Sequence, residues 1–102
     1  MSKETPILRG ILEYLNLRRD VVAWRMNVGA IKIDRRFIQF GFAGLSDIIG
    51  IFKGRFLAIE VKRPGAKMND DQIIFQQRVE HFGGIHILAY SIDDVIAGLD
   101  NA

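Results

Sequence analysis

Three charged residues at the ends of two apolar runs are the positions in this sequence best placed to do chemistry. Asp47 precedes Ile48-Ile49-Gly50-Ile51-Phe52, and Glu60 and Lys62 close Phe56-Leu57-Ala58-Ile59-Glu60-Val61-Lys62. Ser46 to Phe52 and Phe56 to Lys62 read as strands joined by Lys53-Gly54, a two-residue connection with glycine where a tight hairpin wants a positive φ. Such a loop makes Phe52 face Arg55 and carries the pairing down to Asp47 opposite Glu60. Directly opposed residues on antiparallel strands share a face, with Cβ atoms about 4.5–5.5 Å apart. Lys62, two residues beyond Glu60, falls on that same face, while Leu57, Ile59 and Val61 fall on the other.

Two like charges opposed across a strand pair destabilise it unless something compensates them. A divalent cation would do so. Carboxylates, backbone carbonyls and water are the ligands that Mg²⁺ or Mn²⁺ prefers, and Mg²⁺ usually takes only one or two protein carboxylates. An ion there could polarise a phosphodiester and acidify a water, while a nearby ammonium orients that water and offsets phosphate charge. Taken singly, Asp47 could be a turn residue, and Glu60 and Lys62 polar residues at a strand end. It is the hairpin register, bringing a third charged residue opposite the first, that gives the set its weight.

The elements that must position this set follow from hydrophobic spacing. Ile7, Leu8, Ile11, Leu12 and Leu15 form one stripe of a helix from about Thr5 to Arg18, capped by Ser2 or by Thr5 with Pro6 at the first helical position. Val21 to Asn27 and Ile31 to Phe40 read as strands around the Gly29-Ala30 break. Pro64-Gly65 ends the strand that carries Glu60. Asn69 with Gln72 forms a capping box for a helix running to about Phe82, stopped by Gly83-Gly84. A strand at Ile85 to Tyr90 and a helix capped by Ser91 with Asp94, to about Leu99, complete the chain. The order fits an α/β fold, a mixed sheet flanked by helices, in one domain over residues 1–102.

With these residues in view, the chain resembles a known superfamily. Gly44-Leu45-Ser46-Asp47 followed by Phe56-Leu57-Ala58-Ile59-Glu60-Val61-Lys62 looks like the PD-(D/E)xK nuclease signature, with Ser46 standing where the name of the signature has proline. Arg25-Met26-Asn27, Gly44-x-Ser46-Asp47, Glu60-Val61-Lys62, Gln72 and Gly83-Gly84 together resemble the stand-alone VRR-NUC domain of phage and bacterial proteins, a match covering nearly the whole chain. The resemblance implies a restriction-endonuclease-like core, Mg²⁺ or Mn²⁺ held by Asp47, Glu60 and the Val61 carbonyl, and cleavage of DNA. It also implies likeness to Holliday-junction resolvases acting as homodimers. Gln72 matches a family glutamine that orients phosphate or the attacking water; it is also the reciprocal cap of Asn69, and both can hold. Glu4 matches a family acidic residue that approaches the metal, the alternative being a favourable charge at a helix N-terminus.

Composition and charge set the remaining bounds. The 102 residues allow one compact domain, and 49% hydrophobic with 25% charged residues places the chain among folded proteins. Without cysteine there is no disulfide and no thiolate metal site. The start lacks the apolar run of a signal peptide and no stretch approaches a membrane span, so a cytoplasmic location is expected. The net charge of +2 is unevenly spread: residues 18–67 hold eleven Lys and Arg against four carboxylates, while residues 68–102 hold Arg78 against six. A basic middle suits a polyanion partner, or is simply a solvated surface.

Lys32, Arg35 and Arg36 form the best candidate phosphate-contacting loop, a solvated turn being the alternative. Ser46, Lys53, Arg55, Arg63 and Lys67 are further candidate contacts. His81 and His86 do not read as a ligand pair, and Trp24 and the phenylalanines read as core rather than base-stacking platforms, Phe37 and Phe40 least clearly. The expected function is a Mg²⁺- or Mn²⁺-dependent endonuclease acting on branched or duplex DNA, without a membrane or small-molecule cofactor. The alternatives are a nucleic-acid-binding module that is non-catalytic or needs a partner, and a small α/β interaction protein.

Overall fold

The computed structural model describes residues 4–26, 30–33, 36–39 and 44–102, with side chains for 6–26 and 44–102. Ser2, Asn27, Gly29, Arg35 and Phe40, which figure in the expectations above, lie outside the described residues. Among the rest the order is α1 (Glu4–Leu17), β1 (Val21–Arg25), β2 (Ala30–Ile33), β3 (Arg36–Gln39), β4 (Ile48–Phe52), β5 (Arg55–Val61), α2 (Asp70–His81), β6 (Ile85–Ala89) and α3 (Ile92–Asp100). The fold is α/β: a four-stranded mixed sheet ordered β1-β4-β5-β6 with three helices, and a separate β2-β3 hairpin.

Lys53 and Gly54 both adopt positive φ, 50° and 81°. That is the two-residue turn whose twist matches the flanking strands, and it fixes an antiparallel register running from Phe52↔Arg55 to Ile48↔Ile59. β1 pairs antiparallel with the other edge of β4. β6 pairs parallel with β5, setting Ala58 beside His86 and Glu60 beside Leu88. A parallel pair cannot be closed by a hairpin, and α2 is the crossover. Two expectations need correction. Thr5 is inside α1 rather than capping it. The stretch read from Ile31 to Phe40 holds two strands rather than one, Ala30–Ile33 and Arg36–Gln39, paired antiparallel from Ala30↔Gln39 to Ile33↔Arg36.

Alternation along the strands separates two faces. Ile48, Phe52, Leu57, Ile59 and Val61 pack with Ile85, Ile87 and Ala89 beneath Leu8, Ile11 and Leu15 of α1 and Val95 and Leu99 of α3. Ala58, Glu60 and His86 belong to the other face, where α2 rests through Gln72 and Phe75. β5 is consequently buried on both faces from Leu57 to Val61, as a central strand between helical layers should be. The cover from α2 is incomplete: Val22, Trp24, Ile51 and Phe56, which the register assigns to this face, are exposed, Trp24 by 46%. Trp24, Phe56 and Phe82 are thus not core residues, whereas Phe52 is buried.

Candidate active site

The register that ends at Ile48↔Ile59 reaches Asp47 and Glu60 at its next step. Asp47 has left the strand, yet its backbone is held, because its carbonyl accepts the Met26 N–H at 2.8 Å. Its Oδ2 accepts the N–H of Val61 at 2.9 Å. The Asp47 side chain thereby takes over from the β4 backbone as partner of the first β5 amide beyond the ladder. The other carboxylate oxygen takes no part in that bond. Since N–H and C=O of one strand residue face the same neighbour, the Val61 carbonyl leaves β5 on this side too.

Glu60 is 3% exposed. A buried carboxylate is tolerable only with partners. Its Oε2 accepts from Gln72 Nε2 at 3.2 Å and stands 3.9 Å from Lys62 Nζ. Lys62 is half-buried, and its backbone N–H is tied to the Ala89 carbonyl at 3.0 Å, which anchors the end of β5 to β6. Gln72 uses both ends of its amide. Its oxygen accepts the Asn69 N–H at 2.9 Å while its backbone N–H bonds Asn69 Oδ1, completing the capping box, and its nitrogen is left to reach Glu60. The cap and the site contact are held by one side chain at once.

A second group braces the approach to Asp47. The chain enters β4 across the α2 face: Gly44, at φ 77°, lies so close to the first turn of α2 that a Cβ would collide with the Asp71 carbonyl. Ser46 is 1% exposed and its Oγ stands 3.2 Å from His86 Nε2. Burial pushes the His86 imidazole down to about 4, so the ring is neutral near pH 7. Ser46 is therefore not offered to a nucleic acid; its hydroxyl faces β6. Gly44 enters the sequence reading only as the first residue of the Gly44-Leu45-Ser46-Asp47 motif, and His86 only as a poor ligand partner for His81. His86 could have been found as the polar residue in Ile85-His86-Ile87-Leu88-Ala89 whose parity opposes the core.

The basic candidates divide. Arg63 and Lys67 are exposed on the segment that follows Lys62 and leads to α2. Lys53 and Arg55 lie at the opposite end of the strand pair, about 17 Å from the Asp47–Glu60 row at ~3.3 Å per residue. Arg55 is moreover engaged, its Nε donating to the Gly83 carbonyl at 2.9 Å, and Lys53 lies over the Phe52 ring. Glu4 opens α1, and Lys32 and Arg36 lie in β2 and β3, but the side chains of all three are outside the described set, as is Arg35.

The donors that meet here are of the kind a hard cation prefers. Two carboxylates and the carbonyl of Val61 are all oxygen, the chemistry Mg²⁺ and Mn²⁺ select. Among the described residues no three Asp, Glu or His side chains gather, so an ion would complete its shell with water and substrate. Compared with known proteins, the chain matches no family model and no curated protein. Among the described residues no helix is long and apolar enough to cross a membrane.

Proposed function

We propose that this chain is a metal-dependent endonuclease hydrolysing DNA phosphodiester bonds on a restriction-endonuclease-like core of the VRR-NUC kind. The supporting observation is that Asp47, one register step beyond Ile48↔Ile59, bonds the Val61 N–H beside Glu60, on whose Oε2 Lys62 and Gln72 converge. Asp47, Glu60 and the Val61 carbonyl would hold Mg²⁺ or Mn²⁺, which when bound supplies Lewis-acid polarisation of the scissile phosphate and a more acidic attacking water. Lys62 brings a compact cation with three donors to the same corner, able to orient that water and to offset charge gathering on the phosphate. Gln72 can donate to a phosphate oxygen or to the water. Arg63 and Lys67 supply phosphate contacts beside the site, and contacts of that kind carry no sequence information. Branched or duplex DNA, cut by a homodimer with one centre for each strand, is the substrate that suits so small a domain.

The test is cleavage of labelled four-way junction, duplex and single-stranded DNA with Mg²⁺ or Mn²⁺. Asp47→Ala and Lys62→Ala should each lower the rate by about a thousandfold or more. Cutting retained by both variants rejects the assignment. Salt-dependent binding without cutting under either ion would favour a non-catalytic or partner-dependent binding module.

A further inference from the structure

The carboxylates of the site are reached by different routes. Glu60 is built into the central strand, but Asp47 follows a turn, and something must fix that turn. The segment 44–46 is held at both ends. Gly44 abuts the backbone of Asp71 and Gln72 at the start of α2, and Ser46 Oγ meets His86 Nε2 on β6, the strand beyond β5. The next residue is Asp47, whose carboxylate then bonds the Val61 N–H. The His86 ring is fixed in turn. It lies edge-on to Phe75 of α2, with ring centroids 6.3 Å apart, and rises from β6 beside Ala58.

The direction of the hydrogen bond follows from what surrounds the ring. His86 Nδ1 is buried with no partner among the described residues. An orphaned N–H costs more than an unused lone pair, so the proton of the neutral ring belongs on Nε2, where Ser46 Oγ can accept it. Ser46 is too deeply buried for water to replace that partner, and a buried hydroxyl left without one carries a desolvation cost.

We propose that His86 is a positioning residue for Asp47: by donating Nε2–H to Ser46 Oγ it latches the turn that sets the Asp47 carboxylate against Val61 N–H and opposite Glu60. In its consequence for metal binding the proposal rests on the nuclease reading above; in its structural content it does not. The roles are those of an outer partner that orients a ligand, and removing such partners commonly weakens metal binding or activity by 10- to 100-fold.

Three variants test it. His86→Leu removes the donor with little change in bulk, Ser46→Ala removes the acceptor, and His86→Gln returns an amide N–H to the place of Nε2. The reporter independent of function is hydrogen exchange at the Val61 amide, whose partner is Asp47 Oδ2, compared with the Ile59 amide inside the ladder. In His86→Leu and Ser46→Ala, Val61 exchange should speed by about tenfold relative to Ile59. His86→Gln should stay within about threefold of the native value, a rescue that a merely space-filling role would not give. Mn²⁺ affinity of the free protein, by titration calorimetry, should fall about tenfold in the first two variants and recover in the third. Cleavage should lose kcat with KM for DNA unchanged. Unchanged Val61 exchange in both His86→Leu and Ser46→Ala, or exchange in His86→Gln as fast as in His86→Leu, overturns the latch. If the native protein neither binds Mn²⁺ nor cuts DNA, the nuclease reading fails, and Val61 exchange alone decides whether His86 positions Asp47.

Discussion

Neighbouring residues of β5 meet opposite surroundings. Leu57, Ile59 and Val61 enter a layer made wholly of aliphatic and aromatic side chains under α1 and α3, with no charged group among the core residues. Ala58 and Glu60 enter the layer under α2, where a carboxylate meets an ammonium and an amide, an imidazole meets a hydroxyl, and the far end of the sheet stays open at Val22, Ile51 and Phe56. The first face is what a small domain needs in order to fold. The second gives up part of that burial, and it holds the groups that could act on a ligand. Stability and chemistry are thus separated by the two-residue period of a single strand, and substitutions one position apart should have unrelated effects.

The largest expected effect is on the packed face. Ile59→Ala should cost about 3–4 kcal/mol in urea unfolding, the usual penalty for truncating a fully buried aliphatic residue. Gly44→Ala comes next, at about 2–4 kcal/mol, from a left-handed backbone and from the collision with the Asp71 carbonyl; displaced Asp47 should appear as faster Val61 amide exchange. Acid should weaken the α2 face through His86. The folded ring stays neutral down to about pH 4, whereas the unfolded ring takes up a proton near its ordinary 6.5. Stability is therefore full above pH 6.5 and declines as pH falls from there towards 4, by about 1–2 kcal/mol once the ring's partial exposure is discounted. His86→Gln should remove that limb of the pH–stability curve.

Asp47→Asn separates the two properties most cleanly. The amide oxygen can still accept the Val61 N–H and the like-charge opposition with Glu60 is relieved, so unfolding should be unchanged or harder by up to about 1 kcal/mol, while Mn²⁺ binding and cleavage are lost. Ile51→Thr, on the open part of the same face, should stay within about 0.5 kcal/mol of the native protein in thermal unfolding. A cost above about 2 kcal/mol there would mean that the face is covered in solution and that both layers are packed.

What could be read from the chain was local or followed from a short turn. Lys53-Gly54 allows one register, and the register carried Asp47 to Glu60 without knowledge of the rest of the fold. The Asn69–Gln72 cap was equally legible, since both partners lie within one helical turn. The reciprocal cap expected of Asp94 formed with a shift: Ser91 Oγ accepts the Asp94 N–H, but the Asp94 carboxylate bonds the N–H of Tyr90, one residue earlier than in a capping box. Contacts between elements distant in sequence were not legible. Ser46 looked like a surface serine because nothing local says that His86, forty positions on, will cover it. Trp24 looked like core because hydrophobicity cannot report how far α2 extends over the sheet. Arg55 looked free because its acceptor is the carbonyl of Gly83, at the end of a helix that begins fifteen residues later.

The double use of the Gln72 amide links helix fraying to the state of Glu60. Whatever unwinds the opening turn of α2, whether heat, a bound partner or a charge added near Asn69, withdraws a hydrogen bond from the carboxylate in the same event. An occupant that draws on Glu60 should conversely be felt as altered order at the start of that helix. Amide signals of Asp70, Asp71 and Ile73 would then report occupancy of the site through Gln72, the residue among them that reaches Glu60.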